Sequence, residues 1–444
     1  MKKMTVCVVG LGKLGTPLAA CVASKGYEVI GVDVNPATVD LVNAGKTPVY
    51  EPGLEELIGR NTHRLRASGD IHDAVSRSAI TFITVPTPSD ERGAFSLEFV
   101  ESAGERVADA LKGREGYHVI VLTSTVLPGA TENVLKPLLE RISGKRCGEE
   151  FGLCYSPEFI ALGSVIRDFL NPDFILIGES DRRAGDLLQE FYEDVCDNDP
   201  HMARMNFVNA ELTKIAVNTY VTTKITFANM LARICERIEG ADSDVVASAL
   251  GLDARIGGKY LKGAIGYGGP CFPRDNHALS FFAHELGADA TLAEATDEAN
   301  REQVARLAEL VKTHLPPGGK VGILGLTYKP DTNVVEESQG VLLASRLEGE
   351  GIPYAAYDPA ASIEDAAGEF AGFSSVSSLQ ECILGADVIV ITTPWREFKD
   401  IDPALFGEGA RRRTVIDCWR ILDPARVREH ATYRALGIGY GDDT

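Results

Sequence analysis

The chain has 444 residues, 45% apolar and 24% charged, with a formal net charge of −20. This is the composition of an ordinary globular protein with room for two or three domains. The acidic balance speaks against a nucleic-acid binder, which needs a basic face, and no apolar run reaches the roughly 18 residues of a membrane span. The nine cysteines are scattered and lack a CxxC. They point to a reducing, cytoplasmic setting, with no disulfide framework and no metal site expected.

The opening stretch MKKMTVCVVGLGKLG has too short an apolar run to be expected as a signal peptide. Thr5 to Gly10 is a β-branched run that predicts a buried strand. It enters a turn carrying Gly10, Gly12 and Gly15, with Lys13 and Leu14 before the last glycine. A helix is expected next, with apolar residues at Leu18, Ala19, Val22 and Ala23 and an end at Gly26. The strand EVIGVDVN then carries Asp33. Strand, GxGxxG, helix, strand and acid form a dinucleotide site: close backbone approach at the glycines, and phosphates at the helix N-terminus. Asp33 would hold the ribose hydroxyls and repel a 2′-phosphate, so NAD is favoured over NADP.

Further strands are expected in Ser78 to Pro88 and Tyr117 to Gly129. Thr84, Pro86, Thr87 and Thr125 fall at their carboxyl ends, where open parallel sheets bind ligands. As residues alone they read equally well as strand-end caps. Glu158 follows a strand-like FGLCYS in CYSPEFIALG. Asn209 to Gly240 has no proline and no internal glycine, which predicts a spine helix of nearly nine turns. Lys214 and Asn218 share one face of it at i, i+4. They suit a positive charge and a neutral donor for an oxyanion, although a solvated face fits them as well.

Cys271 stands in GAIGYGGPCFPRDN, behind a run of glycines and between two prolines. A tight structural loop and a mounted nucleophile both fit that pattern. His314 to Gly319 is the clearest linker. Beyond it, strands are expected from Val321, in PYAAYDP, in ADVIVITTPW and in RTVIDCWRILD, echoing the first half. This second doubly wound unit has Gly322 and Gly325 but no third glycine in register. It is expected to hold something other than NAD, or nothing.

In chain order, TSTVLPG, YSPEF, ELTKIAVN, GYGGPCFPRD and LGLTYKPDT follow the GxGxxG turn. Over essentially its whole length the chain thereby resembles the UDP-glucose/GDP-mannose (nucleotide-sugar) dehydrogenase family. The resemblance implies an α/β chain of two Rossmann-like doubly wound parallel-sheet domains joined by a central helical domain with a long spine helix. The expected boundaries are 1–200 for NAD binding, 201–305 for the central, dimerising part with the cysteine loop, and 306–444 for the nucleotide-sugar domain. It also implies four-electron oxidation of a sugar's carbon-6 alcohol with two NAD, in which Cys271 forms a thiohemiacetal and then a thioester. Lys214 and Asn218 would stabilise the oxyanions, while Thr125, Glu158 and Asp275 would position water and move protons.

By the same resemblance, the cofactor contacts are Gly10, Gly12, Lys13, Leu14, Gly15, Asp33, Thr84, Pro86, Thr87, Thr125 and Arg274. The substrate would meet the loop Phe159, Ile160, Ala161 and Leu162, together with Glu158, Lys214, Asn218, Tyr260, Gly268, Cys271, Lys329 and Arg420. Arg255 matches an arginine that reaches a neighbouring subunit's substrate, so a homodimer or larger homo-oligomer is expected. There are departures from the family pattern. PEFLREG reads PEFIALG, DTDDxRES reads DTNVVEES with Val334 and Glu336, DGRN reads Asp417-Cys418-Trp419-Arg420, CFPKD reads CFPRD with Arg274, and Pro270 replaces the serine before the cysteine. UDP-glucose is the first substrate expected, in polysaccharide biosynthesis. UDP-N-acetylhexosamine, GDP-mannose and dTDP-glucose are alternatives with the same chemistry. A two-electron hydroxyacid dehydrogenase and a non-catalytic sensor are the other classes.

Overall fold

The computed structural model describes residues 3–361, 376–409 and 412–441. Two compact units emerge, Met1–Val217 and Asn218–Thr444. The first is built on eight strands: β1 (Thr5–Val9), β2 (Glu28–Val32), β3 (Leu65–Ser68), β4 (Ile80–Ile83), β5 (His118–Leu122), β6 (Phe151–Tyr155), β7 (Phe174–Glu179) and β8 (His201–Met205). Their order is β3-β2-β1-β4-β5-β6-β7-β8. Side chains alternate across the sheet. Val6 and Val8 enter one core and Cys7 and Val9 the other. Burial on both faces explains why the strands read as continuous apolar runs.

The sheet is not wholly parallel, as the sequence had led us to expect. β6 and β7 pair antiparallel, through Cys154 with Glu179 and Tyr155 with Gly178. The other neighbouring pairs are parallel. Strand order reverses at β1 and β4, and it is beside such a reversal that an open α/β sheet leaves its ligand crevice.

The second unit holds β9 (Val321–Leu324), β10 (Tyr354–Tyr357), β11 (Val388–Ile391), β12 (Thr414–Asp417) and β13 (Thr432–Ala435). They form an all-parallel sheet, β10-β9-β11-β12-β13. Helices Ser243–Gly251, Phe272–Glu285 and Thr291–His314 belong to this unit. The spine helix runs Phe207–Cys235, five residues short of the expected Gly240. Past Cys235 the chain tightens into i→i+3 turns at Arg237 and Ile238, and Gly240 has a positive φ of 75°. Among the described residues no helix is long and apolar enough to cross a membrane.

The two sheets repeat one turn in atomic detail. Gly10 and Gly325 both have positive φ, 94° and 112°. The next N–H, of Leu11 or Leu326, donates to Asp33 or Asp358, at 2.7 Å in each case. The Thr84 hydroxyl donates to the Gly10 carbonyl at 2.7 Å, and that of Thr392 to the Gly325 carbonyl at 2.6 Å. The third glycine, absent in the sequence register, is present in space. A Cβ on Gly15 would overlap the Gly10 carbonyl oxygen, and a Cβ on Gly340 the Gly325 carbonyl oxygen. Residues 326–339 intervene where the first turn needs only 11–14, so the motif is hidden by an insertion.

Gly340→Ala should therefore destabilise the second unit by about 1–3 kcal/mol, the usual cost of forcing atoms into a packed site. Denaturant unfolding checks this, and an unchanged midpoint and slope would contradict it.

Candidate active site

In the first unit, the glycine turn leaves an open cradle. A Cβ on Gly12 would meet nothing within 4 Å. Lys13 is exposed beside it and Leu14 half-buried. The helix Gly15–Ser24 begins without a side-chain cap and with no acid in its first turn. Its N-terminal N–H groups and positive dipole end suit a pyrophosphate. Asp33 accepts from the N–H of Leu11 at 2.7 Å and of Asn35 at 2.8 Å, which aims the carboxylate at the cradle's edge. The residues present therefore fit an NAD molecule. Thr84 spends its hydroxyl proton on the carbonyls of Val9 and Gly10, so it shapes the turn. The Thr87 hydroxyl holds the Thr125 carbonyl at 2.8 Å and joins the loops after β4 and β5, while Pro86 is exposed.

The Asp358 turn differs in that its acid is consumed. One oxygen accepts from the N–H groups of Leu326 and Thr327, the Thr327 hydroxyl and the Trp395 indole. The other accepts from Ala360 and Ala361. A ribose would have to displace these bonds.

Glu158 and Lys214 lie together in the first unit. The Lys214 ammonium is 7% exposed, donates to the Glu158 carbonyl at 2.6 Å, and sits 4.6 Å from the centre of the Phe159 ring. Phe159 stacks in turn on Phe174, with centroids 4.7 Å apart. Burial pushes the Glu158 carboxyl up to about 7, against the pull of Lys214 and a hydrogen bond from Tyr192. Its Oε1 is buried without a hydrogen-bond partner. A carboxyl so raised can hold or release a proton near neutral pH.

The loop that follows is braced by a residue not foreseen. Glu51, 7% exposed, accepts from the N–H of Gly163 at 2.7 Å and of Val165 at 2.8 Å. Ile160 and Leu162 are half-buried and Ala161 exposed. Glu211, fully buried, does the same for the N–H groups of Gly129 and Thr131, just beyond Thr125. Losing either acid would leave two amides unpaired, each worth about 1–3 kcal/mol when buried. Glu51 precedes a Pro-Gly turn and Glu211 lies three residues before Lys214. Neither spacing reveals a loop that is distant in sequence.

In the second unit, Cys271 is exposed, while the other eight cysteines are buried or half-buried. It is the N-cap of the helix Phe272–Glu285, so its sulfur lies at a positive dipole end. Asp275 follows one turn on, its N–H bonded to the Cys271 carbonyl at 2.8 Å. Its fully buried carboxylate accepts from Asn218 Nδ2 at 2.6 Å and from the Arg274 guanidinium at 3.1 Å. Lys214 precedes Asn218 by one turn of the same helix.

The glycines before Cys271 are required by packing. A Cβ on Gly268 would overlap the Glu337 carbonyl oxygen, and one on Gly269 would lie 2.6 Å from the Tyr328 ring. Gly269 also needs its φ of 82°. Val334, where the family pattern has an aspartate, and Val335 beside it are each 7% exposed and serve as apolar packing.

The remaining candidates are dispersed. Lys329 lies 5.8 Å from the centre of the Tyr328 ring. Tyr260 is 52% exposed, with a φ of 64° that is unusual for a bulky residue. Arg255 projects into solvent and pairs with Asp253 at 2.6 Å. Arg420, expected on the nucleotide, is turned to Asp242 at 2.7 Å and Asp244 at 3.2 Å. Its φ is positive, 58°.

The NAD-binding, central and UDP-binding domain models of the UDP-glucose/GDP-mannose dehydrogenase family match residues 4–196, 208–302 and 322–424. The UDP-glucose 6-dehydrogenase AglM of Haloferax volcanii is 34% identical, over 98% of this chain and 100% of its own. A GDP-mannose 6-dehydrogenase of Pseudomonas putida is 35% identical, over 93% and 95%. The solved UDP-glucose dehydrogenase of Pyrobaculum islandicum superposes with a TM-score of 0.88 at 33% identity, covering 98% of each chain. With all three domain models matched in order around Asp33, Lys214 and Cys271, the chain belongs to the UDP-glucose/GDP-mannose dehydrogenase family.

Proposed function

We propose that this NAD-dependent nucleotide-sugar dehydrogenase converts UDP-glucose to UDP-glucuronate, in two oxidations at carbon 6 that use Cys271 as nucleophile. The observation that carries the reading is the 2.6 Å hydrogen bond from Asn218 to Asp275. It ties the Asn218 turn of the spine helix to the turn that bears the exposed thiol. UDP-glucose is favoured because AglM and the Pyrobaculum enzyme, both named for it, match 98% of this chain. The comparable match to a GDP-mannose enzyme keeps GDP-mannose as the chief alternative.

When bound, NAD accepts the hydride lost from carbon 6 in each oxidation. Glu158 takes the hydroxyl proton as the alcohol becomes an aldehyde. The Cys271 thiolate adds to the aldehyde carbon, and the new oxyanion meets the Lys214 ammonium and the second amide hydrogen of Asn218. Oxidation of this thiohemiacetal leaves a thioester. Glu158 passes its first proton to solvent; water held near Thr125 then adds to the thioester as Glu158 takes one of its protons, the C–S bond breaks with the other proton going to sulfur, and the carboxylate leaves with the thiol restored. Asp275 already receives Asn218 and Arg274, so its part is to aim that amide. Arg274 and the turn at Lys13, Leu14 and Thr87 would border NAD, while Tyr260 and Lys329 would take the sugar nucleotide.

Leu212, Tyr220, Phe227, Met230 and Ile234 recur at helical spacing on the spine helix and are 41% to 64% exposed. A second copy of the chain would cover that stripe, giving the homodimer to which Arg255 points. Cysteines free of disulfides and an NAD requirement fit a cytoplasmic protein. A two-electron hydroxyacid dehydrogenase would have no use for an exposed thiol at a helix N-cap.

Across a panel of nucleotide sugars, UDP-glucose should give about two NADH per uronate, the stoichiometry of alcohol to acid. Cys271→Ser should form no free uronate at the normal rate. One NADH per sugar, or normal turnover in Cys271→Ala, would sink the reading. The raised Glu158 has a signature of its own. Its folded carboxyl holds a proton that the unfolded one has lost, so its effect on stability worsens as pH climbs from the usual carboxylate range through about 7. Glu158→Gln should thus be more stable than wild type near pH 8, with the gap shrinking towards about pH 4. The same variant should lose the rise of kcat that wild type shows as Glu158 ionises. A gap independent of pH, with an unchanged rate profile, would contradict both roles.

A further inference from the structure

Between Tyr267 and the thiol lie Gly268, Gly269 and Pro270. A glycine pair is the least constrained link a chain contains, so the reach of Cys271 depends on what grips its two sides. Below Gly268, Asn300 grips the Tyr267 peptide from the helix Thr291–His314. Its Oδ1 accepts the Tyr267 N–H at 2.8 Å and its Nδ2 donates to the Tyr267 carbonyl at 3.0 Å. This is the two-way exchange that a neighbouring antiparallel strand would make. Gln339 Nε2 donates to the same carbonyl at 3.1 Å. The ring of Tyr267 is held as well: its hydroxyl donates to Asp297 and receives Asn276 Nδ2 at 3.1 Å. Asn276, Asp297, Asn300 and Gln339 are all under 9% exposed. Above Tyr267, the Gly269 N–H donates to the Glu336 carbonyl at 3.1 Å, inside the insertion that ends at Gln339.

We propose that Asn300 and Gln339 are positioning residues that set the reach of the Cys271 thiol towards carbon 6. The proposal rests on Cys271 being the nucleophile. Neither amide is placed on the reacting atoms. Both act through one residue, Tyr267, four positions from Cys271. The first oxidation makes an aldehyde without the thiol. The second needs the thiol on that aldehyde. Loosening the grip therefore spares the first step and lets the aldehyde escape before the C–S bond forms.

The test compares wild type with Asn300→Ala, Asn300→Asp, which keeps the acceptor and loses the donor, and Gln339→Ala. KM for the nucleotide sugar, kcat for uronate, NADH per sugar consumed, aldehyde trapped by a hydrazine, and the pH profile of Cys271 alkylation by iodoacetamide are all measured. The expected result for Asn300→Ala is a KM within about threefold of wild type, because substrate binding is untouched. Uronate formation should fall about 100-fold, as a misplacement of about 1 Å costs. NADH per sugar should drop towards one, aldehyde should appear, and the alkylation profile should shift. Asn300→Asp should lie between wild type and Asn300→Ala. If Asn300 variants do not fold, Gln339→Ala, which removes one bond of the grip, decides by the same readouts. Full stoichiometry with unchanged alkylation in the folded variants would overturn the proposal, and so would a loss carried entirely by KM. Alkylation of wild-type Cys271 without inactivation would instead remove the nucleophile itself.

Discussion

The hydrogen bond from Asn218 to Asp275 is the constraint on which the candidate chemistry depends. It is short, 2.6 Å, and its acceptor is fully buried. A charge-assisted bond of this kind, shielded from water, is among the stronger non-covalent ties. It locks the spine helix to the first turn after Cys271, so the amide and the carboxylate keep one geometry beside the thiol. Arg274 on the other carboxylate oxygen keeps Asp275 from being an unpaired buried charge, a costly state.

A second constraint is the repeated glycine turn. The same geometry serves two ends, decided by what the acid does next. Asp33 bonds two backbone N–H groups and sits beside open space at Gly12. Asp358 bonds four N–H groups, the Thr327 hydroxyl and the Trp395 indole, and is 9% exposed. One turn is left ready for a dinucleotide, and the other has become a rigid base for the long insertion that follows. That insertion packs on the cysteine loop, which is why Gly268 and Gly269 have no room for a side chain.

What could be read from the sequence was whatever is local. Gly10, Gly12, Gly15 and Asp33 fall within one strand-helix-strand unit, and their spacing alone carries the geometry. Lys214 with Asn218, and Cys271 with Asp275, are each one helical turn apart and were visible for the same reason. Gly340 was missed because the insertion moved it out of register, although its contact with Gly325 matches that of Gly15 with Gly10. Glu51, Glu211, Asn300 and Gln339 were missed because each braces a loop far away in the chain. A lone Glu or Asn in a polar helix looks the same whether it faces solvent or a buried peptide. The antiparallel step between β6 and β7 was hidden likewise, since apolar strands buried on both faces carry no mark of direction.

The most direct measurement is rapid quenching of the protein with UDP-glucose and NAD at low pH, followed by peptide mass analysis. Acid slows thioester hydrolysis, so the acyl group should be caught on the peptide that contains Cys271 and be absent from Cys271→Ser. Steady formation of uronate with no adduct on that peptide at any quench time, or an adduct on another cysteine, would contradict the role given to Cys271.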